Sequence, residues 1–145
     1  MIHSSNSFTF IVTRTASRYR NILAQELASH GHGNITSDYR IVLEALWHED
    51  NISIGQLAAR VCKDNASLTR IIDGMERVDL VQRIRSNSDR RSSLIVLTQH
   101  SKSIRESVEV VEREVFRMAT KNFSPIEAKE MERMLDAVFM NLNSK

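Results

Sequence analysis

The chain of 145 residues contains one cysteine, one proline and four glycines, and each scarcity removes a class of protein. A single thiol, Cys62, cannot close an intrachain disulfide, so a packed core has to hold the fold. So little proline and glycine excludes collagen-like and low-complexity chains and leaves long stretches free for helix. The longest apolar runs, such as residues 94–97, are far too short to span a bilayer, and MIHSSNSFTF has neither a basic nor an apolar leader region. A cytoplasmic protein without membrane contact is expected. No paired carboxylates, nucleophile with a base or glycine-rich phosphate loop stands out, so neither an enzyme nor a cofactor is expected.

What is there is an ordinary globular composition, 41% hydrophobic and 26% charged, enough for one domain with helical extensions. The net charge is only +2, but it is unevenly placed. Residues 53–105 carry ten lysines and arginines against five acids, a net +5, while the remainder carries ten against thirteen, a net −3. A basic middle between acidic ends suits a polyanion-facing segment.

Apolar spacing predicts a first helix from Phe8 to about Ser29, ended by HGHGN, and a second from an N-cap near Ser37 through Tyr39, Val42, Leu43, Leu46 and Trp47. Ser53 is expected to cap a short third helix bearing Ile54, Leu57, Ala58 and Val61. After the tight turn CKDN, Asp64 or Asn65 caps a fourth, with Leu68, Ile71, Ile72 and Met75 as its buried stripe. Two strand-like runs follow, LVQRIR and SSLIVL, joined by a polar turn. Thr98 then caps a long fifth helix whose Ile104, Val108, Val111, Val115 and Met118 form a heptad-like seam that wants a helical partner. Ser124, Pro125 and Glu127 spell the start of a sixth helix with an apolar face of Met131, Met134, Leu135, Val138, Phe139 and Leu142.

Helix, short helix, tight turn, helix and hairpin in that order read as a winged helix-turn-helix, giving a mainly α fold with a small β-hairpin wing. A recognition helix enters the major groove when one stripe holds it against a supporting helix and its other face stays polar. The fourth helix offers Asn65, Ser67, Thr69, Arg70 and Asp73 on that face. Ser67 and Thr69 lie near the helix start, where free backbone N–H groups also attract phosphate. Arg70 can reach a guanine bidentately, a contact worth about 1–3 kcal/mol of discrimination. At the hairpin tip, Arg91 is suited to the negative minor groove, Asp89 can orient it, and Arg90 can meet the phosphate backbone.

The stretch DNASLTRIIDGMERVDLVQRIRSNSDRRSSLIVLT resembles the MarR family of bacterial winged-helix regulators, in the helix-four run and in the pattern Asp89-Arg90-Arg91 followed by a strand ending in Leu97-Thr98. The resemblance implies a homodimeric, sequence-specific regulator of transcription, commonly a repressor, bound to double-stranded DNA. Residues 36–98 would then form the DNA-binding lobe, and 1–35 with 99–145 a helical dimerisation region. It also implies Arg91 in the minor groove, oriented by Asp89, and release by a small aromatic or phenolic ligand. For that ligand Tyr39 and Arg40 are the weak candidates. Where the family commonly has glycine after the recognition helix, this chain has Asp79, which tolerates a left-handed C-cap. A helical protein-interaction module without specific DNA recognition is the competing reading.

Other residues favour structural roles. Cys62 continues the stripe of the third helix at i+8 from Ile54, which favours packing over a redox role. His30, His32, His48 and His100 fit no standard ligand spacing, so no metal site is expected. Trp47 continues the core stripe of the second helix.

Overall fold

The computed structural model describes residues 7–85 and 93–144, and its element order follows the expected helix-turn-helix and hairpin. Six helices, α1 (Phe8–Ser29), α2 (Ser37–His48), α3 (Ile54–Val61), α4 (Asn65–Arg77), α5 (Gln99–Ala119) and α6 (Pro125–Asn143), surround a small sheet. Its strands are β1 (Ile52–Ser53), β2 (Val81–Arg85) and β3 (Ser93–Leu97), in the antiparallel order β1-β3-β2. The sequence reading anticipated only the hairpin. A two-residue strand is too short for alternation to reveal, and β1 joins because Ile52 is buried opposite Ile95.

Side chains set the helix starts. Ser7, Thr36, Ser53, Asp64, Thr98 and Ser124 each accept a hydrogen bond from the backbone three residues on, satisfying an otherwise orphaned N–H. For α2 the cap is Thr36, one residue before the serine expected to do it. Glu127 reciprocates the Ser124 cap, and Gln56 the Ser53 cap. At the far end of α4, Asp79 occupies the left-handed region at φ +61°. Its N–H donates to the Glu76 carbonyl (3.1 Å) and that of Leu80 to the Met75 carbonyl (2.9 Å), a Schellman closure that aspartate supports in place of glycine.

Val42, Leu43 and Leu46 of α2, Leu57 of α3 and Leu68, Ile72 and Met75 of α4 interlock with Leu80, Val81 and Ile95, all almost completely buried. Gly74 permits the α2–α4 approach, since a methyl group there would sit 2.0 Å from the Tyr39 hydroxyl. In α5 the seam residues Val108, Val111 and Val115 are buried in the same core as Leu23 and Leu27 of α1, so that stretch finds its helical neighbour within the chain. Two apolar faces are left over. On α1 only Leu23 and Leu27 are buried, while Phe8 (62% exposed), Ile11 and Val12 face outward; α6 has no buried side chain at all among its described residues. Among the described residues no helix is long and apolar enough to cross a membrane.

Candidate nucleic-acid interface

The N-terminal half of α4 is where the polar residues singled out above converge. Leu68 and Ile72 anchor one side of the helix in the core, which turns Asn65 and Arg70 outward and leaves Ser67, Thr69 and Asp73 half-exposed. Asp64 caps the helix through Oδ1, which accepts from the Ser67 N–H (2.7 Å), and Oδ2, which accepts from the Ser67 hydroxyl (3.0 Å). These bonds hold the Asp64 carboxyl below its ordinary pKa. The Thr69 hydroxyl donates to the Asn65 carbonyl (2.8 Å). Both hydroxyl hydrogens expected to meet phosphates are therefore committed inside the helix, and each must rotate to donate outward. Among the described residues Arg70 hydrogen-bonds to the Ser67 hydroxyl oxygen alone, at 3.5 Å.

Two residues absent from the sequence-level site belong beside it. Thr36 at the start of α2 and Lys63 in the α3–α4 turn line, with Tyr39, Ser67 and Arg70, a groove of about 490 Å³. Lys63 also pairs with Asp38 (3.2 Å). Two helix starts and two cations thus face the same groove with one acid, Asp38, and the net positive charge suits phosphate oxygens. The signal available in sequence was the +5 charge of the middle segment; which cation sits there depends on how the α3–α4 turn folds.

The third missed residue is Arg83 on β2. Its guanidinium reaches across to α4, pairing with Asp73 (2.6 Å) and with Glu76. Asp89, Arg90 and Arg91 lie outside the described residues.

The proposed effector pair does not come together. Tyr39 packs toward Gly74 of α4, whereas its neighbour Arg40 points to α5, is 8% exposed, and is engaged by Glu112 and by Glu44 (2.7 Å). The Arg40 guanidinium also lies 4.9 Å from the Trp47 ring centre. The groove beside it, about 460 Å³, includes Glu44, Glu109, Glu112 and Glu132 in its wall. Those four carboxylates outnumber Arg40 and Arg113 in the same wall, and Arg40 serves there as an interhelical tie. Trp47 is partly buried against the core, as expected, although its indole N–H has no partner among the described residues.

Cys62 also departs from expectation. It is exposed, because the backbone turns left-handed there (φ +54°) as the C-cap of α3 and swings the side chain off the buried stripe; its thiol donates to the Asn143 side-chain oxygen (3.3 Å). Among the described residues no group of three or more His, Cys, Asp or Glu is placed to hold a metal ion. His32 instead meets the Ser107 hydroxyl across 2.7 Å, tying the end of α1 to α5. Partial burial, then the neighbouring His30 and His100, lower its pKa from the ordinary 6.5. A lowered histidine pKa favours the neutral form in the fold, so its stabilisation is complete above pH 6.5 and is lost as pH falls through the folded-state value. Melts at descending pH should show this slope in the parent chain and a shallower one in His32→Gln; equal slopes would contradict it.

Comparison with known proteins agrees with this geometry. The family model described as the MarR family matches residues 39–93, from α2 to the first residue of β3. The HTH-type transcriptional regulator MgrA of Staphylococcus aureus is 30% identical over 105 residues, spanning 72% of this chain and 70% of that one. Among solved structures, a probable transcriptional regulator from Pseudomonas aeruginosa superposes with a TM-score of 0.83 at 21% identity, over 94% of this chain and 99% of that one. The transcriptional repressor CouR bound to a 23-mer DNA duplex gives 0.83 at 17%, over 95% and 98%. With the family model matching the helix-turn-helix segment and a 30% identical transcriptional regulator spanning 72% of the chain, the chain belongs to the MarR family of winged helix-turn-helix transcriptional regulators.

Proposed function

We propose that this DNA-binding regulator works as a homodimeric, cytoplasmic repressor that reads a pseudo-palindromic operator with half-site centres about one helical turn apart, roughly 10 bp. The observation that carries the reading is Arg70, exposed on the outward face of a helix whose opposite side is wholly buried, and beside Lys63 and the start of α2. Residues 36–98 form the DNA-binding lobe in this proposal, and 1–35 with 99–145 the dimerisation region. The wing tip adds Arg91 in the minor groove, oriented by Asp89, with Arg90 on the phosphates; Asn65, Ser67 and Thr69 meet phosphates or base edges from α4.

Release by a small aromatic or phenolic ligand completes the proposal. The groove between α1 and α5, about 660 Å³, suits such an anion better than the neighbourhood of Arg40, because Arg14 and Arg18 flank an apolar floor of Ile22, Val115 and Met118.

A mobility-shift titration against the DNA upstream of the chain's own coding sequence tests the central claim. Binding should weaken steeply with salt. Arg70→Ala should cost about 1–3 kcal/mol and relax preference at one base position in each half-site. Absence of any shift at low salt would sink the repressor reading and favour the protein-interaction module; uniform loss across all sequences would remove Arg70 from base reading.

A further inference from the structure

We propose that Arg83 is a specificity-determining positioning residue: by holding Asp73 it keeps Arg70 free to read DNA. The inference rests on the reading of Arg70 given above. Asp73 stands three residues after Arg70, and residues at that spacing are neighbours on a helix surface. Left to themselves, an arginine and an aspartate so placed pair with each other, and an arginine engaged by a carboxylate is withdrawn from a guanine edge. In this structure the pair does not form. Among the described residues Arg70 hydrogen-bonds to the Ser67 hydroxyl oxygen alone, at 3.5 Å, and no carboxylate forms an ion pair with it.

The reason lies on the neighbouring strand. Alternation along β2 places Arg83 on the same face as the buried Val81, turned toward α4. From there one Nη donates to Asp73 Oδ1 at 2.6 Å and lies 3.5 Å from the Thr69 carbonyl oxygen, while the other Nη pairs with Glu76. The Arg83 backbone N–H donates to the second Glu76 oxygen (3.3 Å). The fork geometry of a guanidinium matters here, because a single ammonium cannot address two carboxylates on successive turns in the same way. Ladder pairing of Arg83 with Ile95, at the centre of the sheet, fixes the strand that carries it. One strand residue therefore takes up both acids that follow Arg70 on α4 and lowers the negative charge presented to the phosphates.

The test uses a duplex selected by the wild-type chain from a randomised library, with affinity and single-base preference read by fluorescence anisotropy and fold by thermal melting. Arg83→Gln should lower affinity by about tenfold and flatten the preference at the base position that Arg70→Ala identifies. Adding Asp73→Asn and Glu76→Gln to it should restore most of both, which a merely structural role for Arg83 would not allow. Arg83→Lys, which keeps a cation in place if the glutamine variant fails to fold, should lose part of the preference and regain it when Asp73→Asn is added. The inference is overturned if Arg83→Gln keeps affinity within about twofold and the base preference intact, or if removing the two acids restores neither. Failure of the wild-type chain to select any duplex would instead overturn the repressor reading, and is seen before any variant is made.

Discussion

Leu135→Glu is expected to leave a monomer in sedimentation equilibrium and to lower operator affinity by about a hundredfold. Leu135 lies at the middle of α6, 51% exposed, beside Met134 and Phe139, which are also exposed. A nineteen-residue helix that buries none of its described side chains within its own chain gains little tertiary stabilisation there. In the proposed homodimer that face is covered, together with Phe8, Ile11 and Val12 of α1, and a carboxylate inserted into it would lie desolvated without a partner. The isolated chain should keep its helicity, because the substituted position is already half in water. Operator affinity falls because two linked half-site contacts become two independent ones, and linkage of this kind is typically worth 10²–10⁴-fold. A dimer of undiminished operator affinity would show that α6 is not the interface.

Arg40→Ala should cost about 3 kcal/mol of folding stability in a denaturant titration. The guanidinium is nearly buried, and burial by itself disfavours its charge; hydrogen bonds and charge from Glu112 and Glu44 more than offset that and raise its pKa above the ordinary value. Glu112 is itself only 23% exposed at its side chain, so deleting Arg40 leaves a half-buried carboxylate without its partner. The ring of Trp47, between Arg40 at 4.9 Å and Arg105 at 5.6 Å, also loses one of its two cations. Arg40→Lys should recover only part of the loss, since an ammonium cannot reproduce the paired contact with Glu112. Adding Glu112→Gln to Arg40→Ala should return some stability by removing the stranded charge. A loss below about 1 kcal/mol would mean that the pair behaves as an ordinary surface salt bridge.

Features written in short stretches of sequence were legible, and those that depend on remote partners were not. The bounds of α1 followed from apolar spacing that begins at Phe8 and from HGHGN, whose Gly31 turns the chain at φ +84° just past the helix end. The start of α6 was spelled by Ser124, Pro125 and Glu127 within four residues. Arg40, in contrast, sits among apolar neighbours on α2, and what keeps it there is Glu112, 72 positions away, for which local periodicity carries no signal. Cys62 was misplaced by carrying a helical stripe one residue beyond the helix, where a left-handed turn ends the extrapolation. Within the proposed site, the outward placement of Arg70 followed from spacing along one helix. Lys63 and Arg83 did not, because each acts across a tertiary contact between elements.

The carbonyl oxygen of Leu80, just past the Asp79 turn, accepts from the Thr98 backbone N–H (3.3 Å) and the buried Ser101 hydroxyl (2.5 Å), while the Thr98 hydroxyl donates to the adjoining Asp79 carbonyl (2.8 Å). Two successive carbonyls thus pin the exit of α4 to the entry of α5. The Thr98 hydroxyl oxygen also accepts from the Ser101 N–H at the start of α5 (3.1 Å), so one side chain both begins that helix and closes the exit of α4. A substitution at Thr98 therefore loosens two helix ends at once.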